Sequence, residues 1–89
     1  MDTNQIDFEE NLGPALAALR KRSGKSGRQV AKEIGRSHAG VYRYENGRSD
    51  FSAWTLFKYL VAVNASLVDL HEAIHEQVRS RTQGRSESI

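Results

Sequence analysis

The chain has 89 residues, 38% of them hydrophobic, no cysteine and a formal net charge of +2. That length suits one domain with a modest core, and the lack of thiols excludes disulfides and thiolate metal sites. The opening "MDTNQIDFEE" is acidic and polar, unlike a secretory signal, and no apolar run approaches the roughly 20 residues of a membrane span, so a cytoplasmic protein is expected.

Residues 1–10 hold four acids and no Lys or Arg, and read as an acidic arm. Asn11 is a plausible N-cap for a first helix over "LGPALAALRKRSG", with Pro14 in its first turn, where no intrahelical N–H is yet required. Leu12, Ala15, Leu16 and Leu19 share a face at helical spacing, and Gly24 supplies the stop. The alternative extends this helix backward over residues 7–10, bent at Pro14.

Ser26 with Gln29 forms a capping box for a second helix, carrying Val30, Ala31 and Ile34 on one stripe and ending at Gly35. Ser37 caps a third helix, "HAGVYRYE", which closes at Asn46-Gly47 and turns Val41 and Tyr44 inward. Asp50 or Ser52 starts a fourth helix, with Leu56, Phe57, Leu60 and Val63 facing inward and Trp54 read as core. Asn64 is its left-handed stop. Ser66 with Asp69 makes a second capping box, and Leu67, Leu70, Ile74 and Val78 line the fifth helix. Nothing alternates like a strand. The tail "SRTQGRSESI", residues 80–89, is polar and aperiodic and is expected to be flexible. The expected domain is therefore residues 11–79, all-α, with five helices.

Charge is distributed unevenly along this order. Residues 1–19 carry −4, residues 20–48 carry +7 and residues 49–89 carry −1. A compact basic block is the footprint of a polyanion partner, against the plainer reading of a solvated surface. The two serine caps stand eleven residues apart, leaving room for a two-turn helix, a three-residue connection and a second short helix. This is the layout of a helix-turn-helix. Eight helical residues span roughly 12 Å, a rod that fits a DNA major groove.

The stretch "SGRQVAKEIGRSHAGVYRYENGRSD" resembles the helix-turn-helix of the Cro, phage-repressor and xenobiotic-response-element family. The likeness runs from "LGPALAALRKRSG" to "SLVDL". Ala31 matches the small residue at the helix crossing, Gly35 the turn glycine, Val41 the buried aliphatic, and Glu45-Asn46-Gly47 the end of the reading helix. The resemblance implies a compact five-helix, lambda-repressor-like DNA-binding domain. It implies base-edge contacts from His38, Ala39 and Arg43, with Tyr42 beside them, and DNA-backbone contacts from Ser26, Asn46 and Arg48. Arg20 matches a helix-one arginine that pairs with the glutamate standing here as Glu45. Arg43 suits guanine through two hydrogen bonds, and Ala39 offers a methyl contact. Lys21, Arg22, Lys25, Arg28 and Arg36 would add salt-sensitive attraction. Three positions depart from the family pattern. Gly27 replaces a phosphate-binding glutamine and leaves only its backbone N–H, at a helix N-terminus, for that task. Lys25 stands where an aliphatic is usual. Gly40 lies inside the reading helix, where glycine costs about 1 kcal/mol against alanine.

Residues 71–75, "HEAIH", fit the zinc-peptidase pattern H-E-x-x-H. That chemistry needs His71 and His75 as ligands, Glu72 as base, a third ligand and a cleft. The longer motif would place Gly at 78 and His at 81, where this chain has Val78 and Arg81. The pair is read as a plain helix face, with adventitious metal binding or a pH-sensitive dimer contact as lesser alternatives. No enzyme activity, metal or cofactor is expected. The expected function is sequence-specific transcriptional control, as a homodimer on duplex DNA, with Trp54, Leu67, Ile74 and Val78 as candidate dimer residues. The rival is an antitoxin or adaptor that uses the same fold mainly to bind a protein.

Overall fold

The computed structural model describes the backbone of residues 3–47 and 52–87, and the side chains of residues 10–47 and 52–80. Five helices follow in order: α1 (Thr3–Ser23), α2 (Gly27–Ile34), α3 (His38–Glu45), α4 (Ala53–Ala62) and α5 (Leu67–Glu87). The short helices begin at serines for the same local reason. Ser26 Oγ accepts from Gln29 N–H at 3.1 Å while Ser26 N–H donates to the Gln29 side chain at 2.8 Å. Ser37 caps α3 through Gly40 N–H, and Ser52 caps α4 through Thr55 N–H. Ser52, not Asp50, therefore opens α4; Asp50 lies outside the described residues. Ser66 and Asp69 cap each other reciprocally at the start of α5. Gly35 takes φ 73°, a left-handed turn that glycine adopts without steric cost, and lets Arg36 N–H reach Ala31 O at 2.9 Å.

The long helices run further than the main reading at their outer ends, and for α1 the alternative backward extension over residues 7–10 is the one found. α1 starts at Thr3, so Asn11 is an interior, buried residue and not a cap. Pro14 sits mid-helix and cannot donate back to residue 10. α5 continues through residue 87, past Val78 where the apolar periodicity stops. α1 and α5 make the most extensive helix-helix contact of the fold. Tertiary packing of this kind stabilises helix that local propensity alone would not.

The core unites Ala15, Leu16 and Leu19 of α1 with Val30, Ala31 and Ile34 of α2, and Val41 of α3. Tyr59, Leu60, Ala62 and Val63 from α4 and its end, and Leu70 and Ile74 of α5, complete it. Three apolar residues expected inside are outside: Trp54 is 70% exposed, Phe57 50% and Leu67 55%. In α4 the sequence "AWTLFKYLVA" is apolar on every side, so periodicity could not select its inner face. Tyr59 takes the interior position because its hydroxyl finds two partners there, Leu16 O and Glu45. Ile74 is closed into its own core, with 8% exposure, and so presents no dimer surface.

Candidate nucleic-acid interface

α2 and α3 pack against each other across the Gly35 turn, with Val30, Ala31 and Val41 buried between them and their neighbours. One side of α3 is sealed: Gly40 and Val41 are buried. The other is open. His38, Ala39, Tyr42 and Arg43 are all exposed, and their spacing of i, i+1, i+4 and i+5 puts them on one face. Ser26, Arg28 and Asn46 are exposed nearby in the chain. Ser26 Oγ accepts from Gln29 and keeps its proton to donate. The Asn46 side chain donates to Tyr42 O at 2.7 Å, which tightens the end of α3. Arg48 lies outside the described residues.

The departures at Gly27 and Gly40 have different surroundings. A Cβ on Gly27 would stand 3.1 Å from His38 Nε2 and 3.2 Å from its Cδ2. The His38 ring thus occupies the space beside the first turn of α2 that a side chain at 27 would otherwise share. Gly40 faces its own cap: a Cβ there would be 3.2 Å from Ser37 Oγ.

The far end of α3 is held by a polar cluster. Arg20 Nε and Nη2 donate to the two Glu45 carboxylate oxygens at 2.7 and 3.0 Å, and the side chains are only 15% and 10% exposed. Tyr59 Oη donates to the same carboxylate at 2.5 Å. Arg20 Nη1 also reaches Lys25 O at 3.1 Å. The hydrogen bonds to Glu45 raise the Arg20 pKa above its ordinary value. Burial, then the bond to Glu45, pushes the Tyr59 hydroxyl well above the usual tyrosine range, so it stays a donor. α1 also touches α3 directly. A Cβ on Gly13 would lie 2.6 Å from the carbonyl oxygens of both Tyr44 and Glu45, so only glycine permits this crossing. Gly13 and Tyr59 carried no local sequence signal: a Gly-Pro pair reads as a helix start, and a tyrosine in an apolar run reads as filler.

The basic block divides into two groups. Lys21, Arg22 and Arg28 are exposed and make no hydrogen bond or ion pair among the described residues, though the Arg22 charge acts on Asp69. Lys25, expected to attract DNA, is instead tied inward. Its Nζ donates to both Glu33 oxygens at 2.8 and 3.0 Å and to Ala62 O at 2.6 Å, where it caps α4. Arg36 donates to Thr55 Oγ1 at 3.2 Å. An ammonium at the carbonyl end of a helix is favourably placed, which explains a lysine where an aliphatic is usual.

On α5, His71 and His75 are exposed and adjacent. Among the described residues no group of three or more histidine, cysteine or acidic side chains is placed to hold a metal. No described helix is long and apolar enough to cross a membrane.

A family profile described as "Helix-turn-helix domain" matches residues 11–73. No curated protein sequence matches the chain. Among solved structures, the clp gene regulator ClgR from Corynebacterium glutamicum is similar at 27% identity and a TM-score of 0.72, over 79% of this chain and 91% of that one. A second ClgR structure from the same organism is similar at 25% identity and a TM-score of 0.71, over 89% and 88% of the two chains.

Proposed function

The chain belongs to the helix-turn-helix domain family, and from that premise we propose that it is a transcription regulator that reads duplex DNA through α3 in the major groove. One observation carries the reading. His38, Ala39, Tyr42 and Arg43 stand open on one face of a helix whose opposite side is core and whose end is anchored by Arg20 and Glu45. His38, Ala39, Tyr42 and Arg43 are assigned to base edges; Ser26, Gly27, Arg28, Asn46 and Arg48 to the DNA backbone. Lys21, Arg22 and Arg28 supply the salt-dependent attraction. The likeness to a clp gene regulator supports a regulatory role. We read the regulator as a cytoplasmic repressor of bacterial or phage type that acts without enzymatic activity.

The same reading includes a homodimer on a two-part site, with half-sites about one helical turn apart. Trp54 and Leu67 are exposed apolar candidates for its contact, Val78 is half-buried, and Ile74 is withdrawn. Selection of bound duplexes from a random library at moderate salt tests the reading. Enrichment of a palindrome supports a dimeric reader. A steep salt slope without any enriched sequence opposes it.

A second reading, an antitoxin or adaptor that binds a protein, is favoured by one feature. Trp54, Phe57 and Val61 form an exposed apolar stripe along α4, lining one groove with Glu33, Lys58 and Ala62. A stoichiometric protein partner in a pull-down, lost on Trp54→Ser, supports this second reading.

A further inference from the structure

The HEAIH segment brings two imidazoles within hydrogen-bond distance on one turn of α5. His71 Nε2 and His75 Nε2 lie 3.2 Å apart, with ring centroids at 4.4 Å and planes inclined by 61°. Two imidazole nitrogens bound to one tetrahedral Zn2+ at about 2.0–2.1 Å stand about 3.3–3.4 Å from each other. The two distances agree within a few tenths of an ångström. The spacing i, i+4 brings the rings onto one face of α5 over a single turn. The capping box of Ser66 and Asp69 starts that helix, and Leu70 and Ile74 fix its inner face in the core. The outward direction of the pair is thus set by the fold.

The surroundings suit a cation. His71, Glu72, His75, Glu76 and Arg79 line one open depression. Arg79 is occupied by Glu76, at 2.7 Å. Glu72 has no hydrogen bond or ion pair among the described residues and leaves a negative charge on the rim. Both rings are exposed, so a hydrated ion reaches them without any opening of the structure.

We propose that His71 and His75 form a two-imidazole chelate for a borderline first-row dication such as Zn2+. The two Nε2 lone pairs replace two of the ion's water ligands, each ring keeps its proton on Nδ1, and water completes the shell. Cu2+ binds more tightly than Zn2+, as nitrogen sites generally favour it. The ion clips two successive turns of α5, the helix that packs most extensively on α1. This site is independent of the DNA reading and stands or falls without it.

The test uses the full, tag-free chain at neutral pH, with zinc chloride as the only probe. Thermal unfolding by circular dichroism is followed with and without millimolar Zn2+, then with excess chelator. An ion that binds only the folded state raises Tm by about 5–10 °C once its free concentration reaches ten times its dissociation constant. The proposal predicts such a rise, reversed by chelator and absent in both His71→Gln and His75→Gln. The rings are exposed, so the metal-free Tm of each variant should stay near that of the parent. In NMR spectra, Zn2+ should shift the imidazole signals of His71 and His75 together and leave those of His38 unmoved. No Tm change in the parent, an equal change in both variants, or equal perturbation of all three histidines overturns the proposal.

Discussion

Arg20 and Glu45, 25 residues apart in the chain, meet in a two-point ion pair at 2.7 and 3.0 Å that joins α1 to the end of α3. Little of either side chain is exposed, and the carboxylate takes a third bond from Tyr59. The pair is not an ordinary surface contact of about 0–1 kcal/mol. Loss of one partner leaves the other charge partly buried without compensation. Arg20→Ala should therefore lower the free energy of unfolding by about 2–4 kcal/mol, slightly less than for a fully buried pair. Urea denaturation measures it. A loss under 1 kcal/mol would show that the pair is solvent-relaxed.

The Tyr59 hydroxyl gives a pH dependence with a definite sign. Burial, and then its bond to Glu45, raises its folded pKa above the ordinary value near 10. The stability tied to its protonated form is complete below that ordinary value. It falls as pH rises beyond about 10, because the unfolded chain releases the proton while the folded chain retains it. Denaturation midpoints between pH 9 and about 11 should decline in the parent and decline less in Tyr59→Phe. Parallel slopes for the two proteins would exclude Tyr59 as the source.

Gly13 stands where α1 passes against the end of α3. A methyl group there meets two carbonyl oxygens at 2.6 Å. Alanine gains about 1 kcal/mol of helix propensity, but the clash with backbone should outweigh it. We expect Gly13→Ala to destabilise by about 1–3 kcal/mol net and to weaken DNA binding with it. A variant of equal or greater stability would mean that the crossing relaxes freely.

Gly27 and His38 are coupled through space. Gly27→Gln restores the residue usual at this position in the family, yet its Cβ would stand 3.1 Å from His38 Nε2. The ring must move away from the start of α3. The expected result is a fold of near-parental Tm with an altered base preference at one position of each half-site. Selection from random duplexes reads this directly; an unchanged preference would remove His38 from the reading face.

Lys25 holds the fold, and Arg28 is the charge proposed to attract DNA. Lys25 is bonded to Glu33 and Ala62 O, whereas Arg28 is exposed. Lys25→Ala should lower Tm and leave the salt dependence of DNA affinity nearly unchanged. Arg28→Ala should do the reverse, reducing the slope by about one. Equal effects on the slope would return Lys25 to the interface.

The parts of this fold legible in the sequence are the locally determined ones. Ser26 with Gln29, Ser37, and Ser66 with Asp69 fix helix starts through contacts within three residues. The open face of α3 also follows from its period once Val41 is placed inside. What escaped depends on distant neighbours. Asn11 resembles a cap but sits inside a helix that runs along α5. Trp54 and Phe57 resemble core, yet Tyr59 displaced them because Glu45 and Leu16 O accept its hydroxyl. Lys25 resembled a surface charge until α4 brought Ala62 O to it. At the candidate interface, the exposure of His38, Ala39, Tyr42 and Arg43 was legible from spacing, while the Gly13 crossing at the end of α3 was not.

The proposed role of the outer face of α3 is to read base edges. Its most direct test compares the sequence preferences of the parent and Arg43→Ala, by selection from one random duplex library at one salt concentration. Arg43→Ala should lose about 1–3 kcal/mol of discrimination at a single base pair in each half-site and keep its preference elsewhere. Uniform weakening with every preference intact, or a parent protein that enriches no sequence, would show that α3 does not read bases through Arg43.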